Sequence, residues 1–306
     1  MELSIVIPVY NSEKELLRLI QEIRAYFPPE QAEIILINDG SEDGSEEICT
    51  HLAQTDKELI FLSLRKNFGE HNAVMCGLNF ARGLYVAIMD DDGQNPPSEV
   101  KKLLFKIRSG YDVVYSQYSD KQHHFLRNWG SRFSNFVANR LMSKPKDLYL
   151  SSFKIIHRDI VREIIKYKGP FPYIDGLILR CTQNLGKVNV EHKERLSGKS
   201  GYSLRKLLQV YMNMFLNFSL KPLRIFTFIG VLIFIAGLLM SAFFIYAKLT
   251  SIEHPGWTST VLFILLLSGF QIIFLGLIGE YLGKQYLDQN NTPQWVLKSR
   301  TDKYAK

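Results

Sequence analysis

Residues 84–94 read LYVAIMDDDGQ, an apolar run that passes directly into three carboxylates and an amide. The apolar part, residues 84–89, predicts a buried strand, and the acidic residues follow at its carboxyl end. In an open α/β sheet, ligands bind beyond the carboxyl ends of the strands. We therefore expect Asp90, Asp91 and Asp92 to lie at a ligand site.

The acidic stretch offers the oxygen ligands that hard divalent cations prefer. Asp90 and Asp92, with the Gln94 amide, would hold Mg²⁺ or Mn²⁺ and leave positions for a diphosphate. An EF-hand loop requires Gly at its sixth position and Glu at its twelfth, and neither stands there when positions are counted from Asp90. The alternative left open by these residues is a solvated acidic turn that caps the helix beginning near Pro97.

Strands and helices alternate along the N-terminal part of the chain. Apolar runs predict strands over residues 3–9, 33–37, 59–64 and 111–116, and amphipathic repeats predict helices over residues 13–26, 72–82 and 101–108, with Ser12 as the first N-cap. This order predicts an α/β fold with a mostly parallel sheet that helices cover on both faces. The chain has neither GxGxxG after its first strand nor GxxxxGK[ST], which argues against a dinucleotide oxidoreductase and a P-loop nucleotidase.

The formal net charge of the 306-residue chain is +7, which suggests an anionic partner such as nucleic acid, lipid headgroups or a phosphorylated substrate. The basic residues cluster toward the C-terminal apolar segments and form no aromatic-interleaved groove, which argues against nucleic acid. Cys49, Cys76 and Cys181 show no CxxC spacing, so we expect reduced cytosolic thiols. The N-terminus has no basic segment or small-residue cleavage site, so we expect no secretory signal.

Two C-terminal stretches, about residues 223–247 and 260–282, are apolar enough to span a bilayer, which needs roughly 20 residues. The basic residues that flank them are Lys221 and Arg224 before the pair, and Lys284, Lys298, Arg300 and Lys303 after it. The positive-inside rule therefore predicts two transmembrane helices with both chain ends in the cytoplasm. Before them, residues 204–218 place an apolar face beside basic residues, which predicts an amphipathic interfacial helix.

A further amphipathic helix is predicted over residues 125–142, where apolar residues are interleaved with Arg127, Arg132 and Arg140. One interpretation is that this helix covers the domain surface. The other is that it lies at an anionic membrane surface, where its arginines meet phosphates.

Taken together, these features resemble family 2 glycosyltransferases of the polyprenyl-phosphate glycosyltransferase group, which are related to dolichyl-phosphate mannose synthase and bactoprenol glucosyltransferase. The resemblance covers almost the whole chain. The motifs that carry it, in family order, are Ser4-Ile5-Val6-Ile7-Pro8-Val9-Tyr10-Asn11, Asn38-Asp39-Gly40-Ser41 through Gly44-Ser45, Asp90 to Pro97, Arg195 to Ser200, Pro222-Leu223-Arg224 and Gly279-Glu280-Tyr281.

The resemblance implies a Rossmann-like GT-A catalytic domain over residues 1–200, a juxtamembrane amphipathic helix over 201–222, and a two-span hairpin with a cytoplasmic tail over 223–306. The implied nucleotide-binding residues are Pro8, Tyr10, Asn11, Asp39, Asn67 and Asp90, with Asp39 accepting a hydrogen bond from the base. The implied metal ligands are Asp90, Asp92 and Gln94, and the implied catalytic residues are Asp90, Asp91, Asp92, Arg127 and Arg140. The residues implied at the acceptor phosphate or the diphosphate are Arg127, Arg140, Ser152, Lys154, Arg195 and Lys199.

Three positions depart from the family pattern: Asp91 stands where a small residue is usual, Gly93 where Leu is usual, and Lys154 where Arg is usual. The change at Lys154 replaces a bidentate phosphate fork by a point charge. Asp175 is expected to cap a helix that begins at Gly176, although it or Asp91 would also suit the orientation of sugar hydroxyls.

The implied reaction is the inverting transfer of a sugar from a UDP- or GDP-sugar to undecaprenyl or dolichyl phosphate, with Mg²⁺ or Mn²⁺ as cofactor. We expect it at the cytoplasmic face of the inner (plasma) membrane, for cell-envelope glycan synthesis or modification. The nucleotide sugar, the polyprenyl phosphate and the bilayer are the expected partners, and the sequence leaves open whether the chain forms a homo-oligomer. The alternatives are a glycosyltransferase with another membrane acceptor, such as a polysaccharide or glycolipid, and a non-catalytic membrane adaptor.

Overall fold

The structure, a computed structural model, describes residues 1–118, 148–191, 228–233, 235–237, 239, 242, 243, 246 and 256–302. The chain divides into two compact units. The first comprises residues 1–203 and 291–306, and the second comprises residues 204–290. The first unit is therefore discontinuous in sequence.

The described residues of the first unit form one eight-stranded sheet with the strand order β7-β5-β6-β4-β1-β2-β3-β8. Its strands are β1 (Leu3–Val9), β2 (Ala32–Asn38), β3 (Leu59–Leu64), β4 (Tyr85–Ile88), β5 (Val113–Tyr118), β6 (Lys154–His157), β7 (Leu185–Val190) and β8 (Leu297–Thr301). Strand β1 pairs in parallel with β2 and β4, as do β2 with β3 and β5 with β7, whereas β6 and β8 are antiparallel to their neighbours. The mostly parallel sheet that the sequence predicts is confirmed.

Helices lie on both faces of this sheet, as the alternation of elements predicts. They are α1 (Glu13–Tyr26), α2 (Ser45–Thr55), α3 (Glu70–Phe80), α4 (Pro97–Ile107), α5 (Arg158–Ile164) and α6 (Ile174–Cys181). Helices α1, α2 and α4 share one core with Ile5, Leu36 and Ala87, which are fully buried. Each buried Ile or Leu contributes roughly 1.5–3 kcal/mol to this packing.

Helix α3 covers the opposite face at close range. A Cβ at Gly77 of α3 would lie 2.5 Å from Val6 Cγ1 and 2.7 Å from Ile37 Cδ1. Only a residue without a side chain lets the helix backbone approach the sheet so closely. The alternation of side chains along the strands thus assigns β1 and β2 residues to two distinct helical layers.

Strand β8 closes the β3 edge of the sheet after the chain has passed through the second unit. The Arg65 N–H donates to the Val296 carbonyl at 3.0 Å, next to the antiparallel pairing of β3 with β8. Just before β8, Gln294 is 7% exposed and donates from Nε2 to the Gly169 carbonyl at 2.8 Å. This segment covers an edge whose N–H and C=O groups β3 would otherwise leave unpaired.

Most described residues of the second unit are helical. Helix α7 (Trp257–Gln289) is 33 residues long and follows Gly256, and described residues between 228 and 246 are also helical. Within the described part of the chain, no helix combines the length and the apolar character needed to cross a membrane. The predicted interfacial helix over 204–218 lies outside the described residues.

Most predicted elements of the first unit occur close to their predicted positions. Strands β1 and β3 and helix α1 have the predicted bounds, whereas α3 begins at Glu70, directly after Gly69 at φ +95°, and not at residue 72. Ser12 occupies the N-cap position of α1, but its hydroxyl makes no cap hydrogen bond and contacts Asp91 instead. Strands β7 and β8 were not predicted.

Candidate active site

Asp90 leaves the end of β4 beside the start of β6. Its Oδ2 accepts hydrogen bonds from Ser152 Oγ at 2.6 Å and from Asn95 Nδ2 at 3.4 Å. The antiparallel pairing of β4 with β6 sets Ile88 opposite Lys154, which brings Ser152 to the Asp90 carboxylate. Two residues that the sequence assigns to the same site, Asp90 and Ser152, are therefore in direct contact.

Asp91 points in a different direction, toward the turn between β1 and α1. Its Oδ2 accepts a hydrogen bond from the Tyr10 N–H at 3.0 Å and another from the Ser12 hydroxyl. Burial raises the pKa of Asp91 to about 6, an effect that the two hydrogen bonds oppose and the Asp90 and Asp92 carboxylates reinforce. Asp91 thus fastens residues 90–94, here called the acidic loop, to the turn predicted to hold the nucleoside.

Asp92 and Gln94 close the acidic loop on itself. Asp92 Oδ1 accepts a hydrogen bond from the Gln94 N–H at 3.1 Å across Gly93, whose φ is +69°. Glycine adopts this left-handed conformation without steric cost, which allows the tight Asx-type turn.

The oxygen donors of this loop fit a hard divalent cation. Among the described residues, no three His, Cys, Asp or Glu side chains are grouped as metal ligands. Mg²⁺ is commonly held by one or two carboxylates, with water and substrate phosphates completing its coordination. Asp90, Asp92 and Gln94 suit that arrangement, and their assignment as ligands stays a prediction.

Asp39 is buried within the fold, with 3% of its surface exposed. Its oxygens accept the Phe68 N–H at 2.7 Å and the Gly69 N–H at 2.9 Å. Burial raises the pKa of Asp39, and these two hydrogen bonds act in the opposite direction. The sequence did not predict this bracing of the β3–α3 loop, and the hydrogen bond from a base to Asp39 stays a prediction.

The remaining residues predicted at the nucleoside lie on neighbouring loops. Tyr10, Asn11 and Asn67 are exposed, and Pro8 is half-buried near the end of β1. Asn11 has φ +53° and holds the β2–α2 turn, because its Oδ1 accepts the Glu42 N–H at 2.8 Å. The structure therefore places the β1–α1 and β2–α2 turns side by side at the carboxyl edge of the sheet.

Lys154 and Asp175 form a buried ion pair next to this edge. They are 3% and 6% exposed, and the Lys154 ammonium contacts Asp175 Oδ1 and lies 5.2 Å from the centroid of the Tyr115 ring. Asp175 Oδ1 also accepts the Tyr115 hydroxyl at 3.0 Å. A buried charge needs such a partner, since an unpaired one would be strongly destabilising.

The ion pair of Lys154 with Asp175 bears on the roles predicted for both residues. The predicted capping role of Asp175 is wrong, because Tyr173 occupies the N-cap of α6 and Asp175 lies in its first turn with its carboxylate on Lys154. The predicted contact of Lys154 with a phosphate stays a prediction, and the structure gives its ammonium an internal partner.

The first turn of α3 adds two polar residues that the sequence analysis missed. The His71 ring lies edge-on to Tyr173, with centroids 5.2 Å apart. Burial lowers the pKa of His71 to about 4, so the ring is neutral. Glu70 keeps part of its surface exposed, and desolvation by the surrounding protein, followed by the Asp90 charge, raises its pKa. The available signal was the placement of both residues directly after the loop that follows β3.

The comparison with protein families identifies the chain. Residues 4–165, more than half of it, match the sequence profile of glycosyl transferase family 2. The chain is a family 2 glycosyltransferase. Residues 221–284 of this glycosyltransferase also match the profile described as the GtrB C-terminal hairpin.

The glycosyltransferase has similar relatives along almost its whole length. It is 31% identical to the undecaprenyl-phosphate 4-deoxy-4-formamido-L-arabinose transferase of Pseudomonas aeruginosa (strain LESB58) over 303 residues, 96% of this chain and 89% of the relative. It is also 31% identical to the transferase of the same name from Yersinia pestis (strain Pestoides F) over 305 residues, 97% of this chain and 93% of the relative.

Solved structures share the GT-A-like fold of the glycosyltransferase. One is glucosyl-3-phosphoglycerate synthase from Mycobacterium tuberculosis in complex with Mn²⁺, UDP and phosphoglyceric acid, at 18% identity and a TM-score of 0.53 over 70% of this chain and 77% of that one. A complex of the same enzyme with Mn²⁺, UDP-glucose and phosphoglyceric acid gives a TM-score of 0.52 at 18% identity, over 71% and 79% of the two chains. At this identity the likeness establishes the fold.

Four predicted site residues of the glycosyltransferase, Arg127, Arg140, Arg195 and Lys199, lie outside the described residues. Their predicted contacts with phosphate groups stay predictions.

Proposed function

We propose that this glycosyltransferase moves a sugar from a nucleotide diphosphate sugar to a polyprenyl phosphate, with inversion at the anomeric carbon. The observation that carries the proposal is the position of the acidic loop. Asp91 joins the loop to the turn predicted to bind the nucleoside, and Asp90 joins it to Ser152 at the start of β6. One loop thus borders both the predicted donor site and the strand expected to meet the acceptor.

The acceptor class follows from the relatives. Proteins that match this chain over almost their full length carry names that specify undecaprenyl phosphate as the acceptor. We transfer the polyprenyl phosphate class to this glycosyltransferase and leave the sugar open.

The acceptor would act as its own nucleophile. A phosphate monoester has a second pKa of roughly 6, so at neutral pH it is largely a dianion. The protein therefore needs no strong general base. Its task is to bring one anion to another and to stabilise the departing nucleoside diphosphate, for which Arg127, Arg140, Arg195 and Lys199 are the proposed cationic groups.

A divalent cation held by Asp90, Asp92 and Gln94 would, when bound, neutralise charge on the diphosphate. The solved relatives of the same fold contain Mn²⁺ together with UDP or UDP-glucose, which supports a divalent metal for this chain as well. The two carboxylates would also fix the position of the diphosphate relative to the acceptor.

We further propose that residues 223–247 and 260–282 form a membrane hairpin, with the catalytic unit and both chain ends in the cytoplasm. The match of residues 221–284 to the GtrB C-terminal hairpin profile supports this arrangement. The return of the chain to the first unit through β8 supports it independently, since both ends of the intervening segment must then lie on the same side of the bilayer.

The test is a transfer assay with the full chain in membranes. Radiolabelled UDP- and GDP-sugars are offered with undecaprenyl phosphate, and the label is followed into an organic-extractable, acid-labile lipid. We expect one donor to label that lipid and chelation of divalent metals to abolish the labelling.

Label that enters only a polysaccharide or a phosphate-free glycolipid would assign another acceptor. An absence of any metal-dependent transfer across the donor panel would support the adaptor alternative.

A further inference from the structure

The acidic loop has two sides, which belong to different helical layers. Asp91 reaches the β1–α1 turn and thus the layer that contains α1. On the other side, Lys154 lies opposite Ile88 of β4 in the sheet, and Ile88 lies opposite Val6 of β1. Side chains of residues that lie opposite each other share a face of the sheet, and the Val6 side chain lies against α3 at Gly77. Lys154 and its partner Asp175 therefore mark the α3 side of the loop.

The first turn of α3 is linked to this side by a chain of contacts. His71 packs on Tyr173, the N-cap of α6, and the carboxylate of Asp175 in the first turn of α6 holds Lys154. Glu70 directly precedes His71 in the same turn of α3. The first turn of α3 thus lies on the side of the acidic loop that Lys154 and Asp175 mark.

The polar atoms of both side chains are left without a hydrogen bond to another residue that the structure describes. The His71 ring packs on Tyr173, but its nitrogens, like the Glu70 carboxylate, have no hydrogen-bond partner among those residues. A neutral imidazole carries one donor and one acceptor, and a carboxylate accepts several hydrogen bonds.

The carboxylates of this side favour a ligand that donates hydrogen bonds. Glu70 and Asp175 are carboxylates, and the Lys154 ammonium is already paired with Asp175. A ligand rich in hydroxyl groups would donate to such carboxylates and exchange hydrogen bonds with the imidazole.

We propose that Glu70 and His71 bind hydroxyl groups of the transferred sugar on the α3 side of the acidic loop and help to determine which sugar is accepted. This inference rests on the proposed nucleotide-sugar donor. It assigns the nucleoside of the donor to the α1 side of the acidic loop and the glycosyl group to the α3 side, with the diphosphate between them at the loop.

The test compares the affinity for a nucleotide sugar with the affinity for the nucleotide alone. The full chain in detergent is titrated by calorimetry with UDP-glucose, UDP-N-acetylglucosamine and GDP-mannose, and with UDP and GDP. The donor that binds most tightly to the wild-type protein is then used on Glu70→Gln and His71→Phe. We expect each variant to bind that sugar nucleotide about tenfold or more weakly, and to bind the free nucleotide as the wild type does.

The choice of variants separates binding from packing. His71→Phe keeps an aromatic ring against Tyr173, so a purely structural role predicts no loss in this variant. Glu47→Gln makes the same change in the exposed first turn of α2 and should alter neither affinity. Equal losses for nucleotide and nucleotide sugar, or no loss for either, would overturn the proposal.

The binding ratio requires no acceptor. A failure of the polyprenyl phosphate assay would therefore leave this test intact, and a negative result here would leave the acceptor proposal standing.

Discussion

Three consecutive carboxylates have three different environments at this site. Asp90 is bound by Ser152, Asp91 is bound by the β1–α1 turn, and Asp92 closes the turn to Gln94. Successive side chains on an extended chain point in opposite directions, so Asp91 faces away from the pair on either side of it. That separation is predictable from sequence, whereas the identity of each partner depends on how distant strands align.

Because Asp91 and Asp92 have different partners, the same substitution at the two positions should have different effects. Asp92→Asn should lower transfer about a hundredfold or more, because a metal ligand is lost where the charge of the diphosphate must be neutralised. Asp91→Asn makes the same chemical change one residue away and keeps an oxygen that accepts the Tyr10 N–H, so we expect a smaller loss. Steady-state kinetics measures the loss of transfer in each variant, after thermal unfolding has shown that both variants are folded. Equal losses in the two variants would contradict the assignment of Asp92 as a metal ligand.

His71 makes stability depend on pH in a defined window. Its pKa is lowered from 6.5 to about 4 by burial, so the folded protein binds fewer protons than the unfolded chain between these values. The stability that the neutral ring supports is fully present above pH 6.5 and is lost as the pH falls toward 4. Circular dichroism melts should therefore show a smaller drop in unfolding temperature between pH 7 and pH 4.5 for His71→Phe than for the wild type. Parallel declines in the two proteins would contradict this account.

The buried charges around Lys154 could not be predicted from local sequence. Lys154 and Asp175 belong to different elements, and only the register of β6 against β4 brings the ammonium under the first turn of α6. Nothing in the neighbouring residues signals that pairing. The predicted cap at Asp175 failed for the same reason, since a distant ammonium is a stronger partner for a carboxylate than the backbone N–H groups of its own helix.

At the scale of elements, the central strands were predictable and the edge strands were not. β1, β2 and β3 are mainly apolar because both of their faces are covered. β8 reads Leu-Lys-Ser-Arg-Thr, and its one apolar residue gives no strand signal. It is a strand because β3 presents an edge to it, and such long-range pairing leaves no periodic pattern in the sequence.

The anchoring of β8 can be tested at its start. Gln294→Ala removes the side chain that donates to the Gly169 carbonyl in a buried position, which should cost about 1–3 kcal/mol. Lys298→Ala removes an exposed ion pair with Glu46 and should cost about 0–1 kcal/mol. Thermal unfolding of the two variants should therefore rank Gln294→Ala well below Lys298→Ala, and the reverse order would show that the segment is held by its surface charges.

At the scale of the whole molecule, the proposed membrane hairpin makes a topological prediction. In a Cys181→Ser background, which removes the exposed native thiol, single cysteines are placed at Lys14, at Ser299 and in the loop over residues 250–258. A membrane-impermeant maleimide applied to intact cells should label only the loop, because both other positions belong to the unit proposed to be cytoplasmic. Labelling of all three positions, or of Lys14 and Ser299 alone, would contradict the hairpin.

The late position of β8 in the chain also constrains biosynthesis. Synthesis proceeds from the N-terminus, so β3 emerges from the ribosome long before the strand that covers it, and the sheet stays incomplete until the segment after α7 has been translated. During this interval the open β3 edge can pair with another nascent chain or with a chaperone. Chains that terminate within the hairpin keep that edge permanently, and quality-control proteases could recognise them by it.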